Sequence, residues 1–263
     1  MAPLPNASAP VRIMEVSGED YRRAFELFLA GTDEKAVTHE YLTELVERLP
    51  RRGLFLDVGA GNGVTTRHVG RYFERVVAVE PSGHMRRALR RRCPDAVVLP
   101  EPVDRLDLDL RPDLVLCSHV LYYLPEEEWE PTVRRLLGWV APGGELVVVL
   151  QNPENDCMRM VRHFTPARFD LSGLAGRLAE DGGGTAGDVL LETLPVRYRA
   201  TGLAEAVDVA ELMVNVPSLR DRDPLPSRQD LADYLLAECS DPQGGITVTH
   251  THDVLRVRRA RSR

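Results

Sequence analysis

The sequence predicts an α/β protein built on a doubly wound, mostly parallel sheet of seven strands whose last strand runs antiparallel. A helical lid precedes the sheet, and helices are inserted late in the chain. Three observations carry this expectation. Short apolar runs alternate with helical patterns from position 54 to 150, which is the rhythm of a parallel sheet. The first run, Leu54-Phe55-Leu56, leads through Asp57-Val58 into glycines at 59, 61 and 63. The second run, Val76 to Val79, ends on a carboxylate at Glu80.

The elements follow in order. Residues 1–17, of which the first twelve are rich in Pro, Ala and Ser, are expected to be flexible. From Gly18, Tyr21, Phe25, Phe28 and Leu29 recur at helical spacing, and a second helix carries Tyr41, Leu45 and Leu49 before Pro50. Together, 18–50 are read as a helical lid. Thr32 suits the cap of the second helix, and Asp33 and Glu34 suit its first turn. The half from 53 to 150 holds strands at Leu54–Val58, Val76–Val79, Ala96–Leu99, Asp113–Cys117 and Glu145–Leu150. Helices from Val64, from Ser82 to Arg92 and over Glu126–Val140 connect them. The half from 151 to 258 is less regular. It reads as a helix over Phe164–Glu180, a glycine-rich bend at 181–187 and a strand over Val189–Tyr198. Helices at Ala204–Val214 and Arg228–Cys239 and a final strand over Ile246–Val257 follow, then a basic tail over 259–263. One domain over 18–258 is expected, without repeats.

Composition narrows the function. The chain has 263 residues, 43% of them hydrophobic and 28% charged, with a net charge of −7, which gives no general attraction to nucleic acid or acidic membranes. The arginines at 86, 87, 90, 91 and 92 read as a solvated helix face, because no aromatics are interleaved. Cysteines 93, 117, 157 and 239 form no C-x-x-C pair, so free thiols are expected and no metal site. No apolar run reaches membrane-spanning length, and residues 1–10 lack an apolar signal core, so a cytoplasmic protein is expected.

The glycine loop carries the chemistry. Glycine lets the backbone take dihedrals that a side chain forbids, and lets a ligand lie against the main chain at a helix start. A dinucleotide fingerprint would place glycine at 64, where this chain has Val64. The pattern is instead G-x-G-x-G preceded by Asp57, with Glu80 about twenty residues beyond the loop, where a carboxylate meets a ribose diol. This order resembles the first motif and acidic successor of Rossmann-like class I methyltransferases that use S-adenosylmethionine. A narrower resemblance rests on Tyr21-x-x-x-Phe25-x-x-Phe28-Leu29 followed by Thr32-Asp33, on Glu80-Pro81-Ser82, and on Leu121-Tyr122-Tyr123. These windows are similar to the histamine N-methyltransferase family.

That resemblance implies cofactor contacts from Asp57, Gly59, Gly61, Gly63, Glu80, Pro81, Met85, Glu101, Val103 and Ser118. It implies an amine-binding acid at Asp33, with His119 where the family has glutamine, and His250 in the Thr249–His252 segment where it has asparagine. Residues leaving a strand's carboxyl end face the ligand crevice, so His119, Tyr122 and Tyr123 are placed for substrate, and His252 joins them by proximity to His250. Asp33 and His119 are the expected catalytic pair, the first recruiting a cationic amine and the second accepting its proton. The expected activity is methylation of a nitrogen on a small amine, with S-adenosylmethionine as cofactor, in bacterial specialised metabolism. Methylation of a hydroxyl or carboxylate, and cofactor binding without turnover, remain open on sequence alone.

Overall fold

The computed structural model describes residues 4–15, 18–180 and 186–260. Helices α1 (Glu19–Gly31) and α2 (Glu34–Glu47) precede strand β1 (Leu54–Val58). Then come α3 (Val64–Gly70), β2 (Arg75–Val79), α4 (Gly83–Arg92), β3 (Val97–Leu99), β4 (Leu114–Ser118), α5 (Trp129–Trp139) and β5 (Glu145–Gln151). After these follow α6 (Asp156–Phe164), α7 (Ser172–Glu180), β6 (Ala186–Leu194), β7 (Arg197–Ala200), α8 (Leu203–Met213), α9 (Arg228–Glu238), β8 (Ile246–Thr249) and β9 (His252–Arg259). The chain divides into two compact units.

The larger unit takes Lys35–Leu150, Asp170–Leu194 and the chain from His252 onward. Its seven strands lie in the order β3-β2-β1-β4-β5-β9-β6. From β3 to β5 neighbours are parallel, while β9 runs antiparallel to β6. The expected architecture is the observed one. Every residue of β1 is buried, as a strand covered on both faces requires. Phe55, Leu114, Leu116, Val147, Val149 and Val254 form the core of this unit with Leu42, Leu45, Val46 and Leu49. Leu42, Leu45 and Val46 turn one face of α2 inward, and Leu49 follows just past its end. Val58 pairs with both Val79 and Cys117, so three strands end level and release their loops along one edge. The strand order reverses at β1 and β4, the place where open α/β sheets bind ligands.

The smaller unit comprises the chain up to Glu34, Gln151–Phe169 and Pro195–Thr251. It has a cluster of its own, in which Phe28, Met160, Phe164, Tyr198, Val207, Leu231, Leu235 and Val248 are buried. Strands β7 and β8 pair antiparallel, with Tyr198 opposite Val248. Residues 4–15 read as loose from sequence, yet Val11 and Met14 are buried and the Val11 N–H donates to the Pro226 carbonyl at 2.9 Å.

Three boundaries differ from expectation. The strand read over 189–198 is broken at Pro195, which cannot donate to a ladder, and yields β6 and β7. The final strand read over 246–257 is divided at His250-Thr251. There the Thr251 carbonyl leaves the ladder to accept from the Asn152 N–H and the Asn155 side-chain amide, both at 2.8 Å. The single helix read over 164–180 is two, and α6 lies mostly upstream of it. Asn155 caps α6 by accepting from the Met158 N–H at 2.7 Å, and Asp170 starts α7 by accepting from the Ser172 N–H at 2.8 Å. The bend at 181–185, residues 1–3, Val16, Ser17 and the tail at 261–263 lie outside the described residues.

The amino-terminal segment is fastened by charge. Glu211 on α8 is fully buried, and its carboxylate accepts from the Arg12 N–H at 3.0 Å and the Arg12 Nε at 2.9 Å, and from the Arg228 guanidinium. Asp208 meets both arginines at 2.9 Å. Removing one partner of a buried pair strands the other charge. Glu211→Leu should therefore lower the unfolding free energy by about 3 kcal/mol or more in urea titrations. Asp20→Ala, which removes an exposed 3.4 Å contact to Arg12, should change it by less than about 1 kcal/mol.

Candidate active site

The loop after β1 and the turn after β2 are built as one piece. The Gly59 and Ala60 N–H groups donate to the Val79 carbonyl at 2.9 and 3.0 Å. The Glu80 carboxylate is 7% exposed, and both of its oxygens are engaged. Oε2 accepts from the Gly61 N–H at 2.8 Å and Oε1 from the Ser82 N–H at 2.7 Å. Ser82 in turn caps α4, its hydroxyl accepting from the Met85 N–H at 3.4 Å. Glycines 59, 61 and 63 all have positive φ, of 77°, 55° and 81°. At Gly63 a Cβ would lie 2.6 Å from Leu89 Cδ1, so glycine is also demanded by the close approach of α4. At Gly61 no atom lies within 4 Å of a Cβ position, so that peptide is bare on its open side.

Beneath the loop, Asp57 is 3% exposed and accepts the Thr66 hydroxyl at 2.6 Å. Burial pushes its carboxyl up to about 6, against the opposing pull of Thr66 and Lys35, while Glu80 adds a smaller upward push. The remaining expected cofactor residues line the same edge. Pro81 is exposed beside Glu80, Met85 is half-buried on α4, and Ser118 ends β4. Glu101 is exposed, and Val103 is buried at the start of a short 3-10 turn.

Directly after Ser118 comes His119, with φ of +57°, a left-handed backbone rare for a side-chain-bearing residue. Its N–H donates to the Val149 carbonyl at 2.9 Å. The imidazole stacks on Tyr122 with Nδ1 3.1 Å from the phenol oxygen, and meets the edge of the His252 ring at 4.6 Å between centroids. His252 opens β9 and is fully buried. The structure thus brings together His119, Tyr122 and His252. Tyr123 is 65% exposed.

Two expected substrate residues are engaged within the smaller unit. His250 Nε2 lies 2.7 Å from the Thr32 hydroxyl, and its ring meets Phe28 edge-on at 5.0 Å. Asp33 accepts from the Arg197 N–H at 2.8 Å and faces the Arg197 guanidinium at 3.5 Å. Its neighbour Glu34 is 7% exposed, and its N–H donates to the Thr32 hydroxyl at 3.1 Å just ahead of α2. Burial of Glu34 was not legible, because two adjacent acids at a helix start look alike in sequence. The four cysteines are free thiols.

Residues 31–233 match the family model described as a methyltransferase domain. The chain belongs to this family. It is an S-adenosylmethionine-dependent methyltransferase of class I, and S-adenosylmethionine is its cofactor. No curated protein matches the sequence significantly. Among solved structures it is similar to the YcgJ protein of Bacillus subtilis at 14% identity and a TM-score of 0.60, covering 86% of this chain and 100% of that one. It is also similar to the N-methyltransferase NodS of Bradyrhizobium japonicum WM9, solved with S-adenosylhomocysteine, at 13% identity and a TM-score of 0.55, covering 92% of this chain and 99% of that one. These likenesses are of fold. The residues present fit the cofactor, because a bare glycine backbone and a preset carboxylate stand side by side at the sheet's switch point. Among the described residues no helix is long and apolar enough to cross a membrane.

Asp57 makes stability depend on pH in a defined direction. A carboxyl whose folded pKa lies above its unfolded value of about 4 opposes folding once it ionises. The penalty is absent below pH ~4, grows until about 6 and is then complete. Asp57→Asn should gain on the native protein in melting temperature as pH rises from 4 to 7, then hold a constant lead. Parallel curves across that range would show that Asp57 is not the group responsible.

Proposed function

We propose that this methyltransferase acts on a nitrogen of a small amine, with the carbonyl edge of β1, β2 and β4 as the cofactor seat and His119 as proton acceptor. The single observation that carries the reading is the left-handed His119, held against Tyr122 and His252 at the end of β4. When bound, the cofactor supplies a methyl group on a sulfonium. In this reading Glu80 holds the ribose hydroxyls, the peptides of Gly59, Gly61 and Gly63 lie along the nucleoside, and Val103 and Ser118 border it. A primary amine has a pKa near that of lysine, about 10, and must lose a proton before it can attack. His119, whose Nδ1 lies 3.1 Å from the Tyr122 oxygen, is the proposed acceptor of that proton, because imidazole exchanges protons near neutral pH. Positioning the acceptor provides much of the remaining acceleration.

The three windows that resemble the histamine N-methyltransferase family support an amine acceptor in this reading, and the histidine at 119, where that family has glutamine, points away from histamine itself. The arginine-rich composition suits a bacterial enzyme of specialised metabolism working in the cytoplasm.

Calorimetry with S-adenosylhomocysteine tests the cofactor seat. Gly61→Ala should leave a folded protein, at a cost of about 1–2 kcal/mol for the left-handed backbone, and weaken binding at least tenfold. Turnover of a panel of small amines and of matched hydroxyl compounds tests the acceptor. Activity confined to hydroxyl acceptors would sink the amine reading. Once an acceptor is found, His119→Asn should lower kcat by about 100-fold.

A further inference from the structure

We infer that Arg86, Arg92 and Arg135 are positioning residues that hold the three cofactor loops in their binding geometry. The inference rests on the reading that these loops seat the cofactor. Each arginine sits on a helix flanking the sheet edge and turns back to backbone carbonyls of one loop. Arg86 Nη1 donates to the Glu80 carbonyl at 2.9 Å and also to that of Pro81. Arg92 donates to the Asn62 carbonyl, between the second and third glycines. Arg135, on α5, donates to the Val103 carbonyl at 2.6 Å and the Asp104 carbonyl at 3.1 Å.

The arrangement departs from a solvated arginine face. Arg86 and Arg92 are half-buried, whereas Arg87, Arg90 and Arg91 are exposed. Met85, Leu89 and Arg92 fall at helical spacing on one stripe, and Leu89 is the residue packed against Gly63. The stripe that seals α4 onto the glycine loop therefore ends in a guanidinium that grips the same loop. The need is physical. A glycine-rich loop has the most conformational freedom to lose, and a loop ordered only on binding subtracts that loss from affinity. A charged donor to a carbonyl makes a stronger hydrogen bond than a neutral one, so three arginines can help to pre-order these loops.

The test is titration calorimetry of the full-length protein with S-adenosylhomocysteine, alongside melting of the unliganded protein. Arg92→Met and Arg135→Met should each raise the Kd about tenfold, the size expected for a lost charge-assisted bond. Arg92→Lys should recover most of the affinity, since an ammonium can still donate to the Asn62 carbonyl. Arg90→Met, on the outer face of the same helix, should bind as the native protein does. Glu80→Ala serves as the check on the seat itself. If Glu80→Ala weakens binding while both methionine variants keep the native Kd, the arginines are structural at most and the inference fails alone. If Glu80→Ala also binds normally, the cofactor seat fails and the inference with it. A lowered melting temperature with an unchanged Kd counts against the inference. Should Arg92→Met not fold, Arg135→Met and Arg92→Lys decide the matter.

Discussion

The edge formed by the glycine loop and the turn after β2 depends on one carboxylate accepting two backbone hydrogen bonds. Glu80 takes the Gly61 N–H on one oxygen and the Ser82 N–H on the other, and so joins the loop after β1 to the turn after β2. Charge-assisted bonds of this kind are stronger than neutral ones, and Glu80 is almost wholly buried, so little water competes for them. The bond to Gly61 belongs with the left-handed backbone at 59, 61 and 63, and that backbone lets α4 close on Gly63 through Leu89. Parallel pairing with level strand ends brings the two loops within reach of each other.

Strain is concentrated at the next strand end. A histidine in the left-handed region costs stability, and such residues persist where their surroundings over-determine them. His119 is over-determined by its N–H to Val149, by Tyr122 three residues on and by the His252 ring from β9. The antiparallel placement of β9 beside the parallel strands thus contributes a side chain to the site as well as sheet pairing. In the smaller unit, His250 is spent on Thr32 and Phe28, although only one residue separates it from His252. The turn at Thr251, fastened by Asn152 and Asn155, sends the two rings to different surroundings.

Much of this was readable beforehand. The α/β class, the sheet with its antiparallel β9, the glycine loop and Glu80 after β2 follow from local periodicity and from residues with restricted conformational roles. A hydrogen bond from the start of α2 to Thr32 was legible for the same reason. Other features were not. The helix α6 escaped because its start depends on Asn155, a polar residue in a stretch without clear apolar period. Arg86 and Arg92 were hidden among five arginines, since residue type does not reveal which guanidinium turns inward. The contact of Asp33 with Arg197 was hidden because the two lie 164 positions apart along the chain.

The sequence by itself determined the class of fold, the glycine loop and the carboxylate that bonds to it, because those are written in spacings of a few residues and in the backbone freedom of glycine. Only the tertiary structure decided which of two adjacent acids is buried, which histidines meet, and which arginines reach back to a loop. Those choices depend on what packs against each side chain from distant parts of the chain, and a buried charge or a turned guanidinium is settled by its neighbours in space.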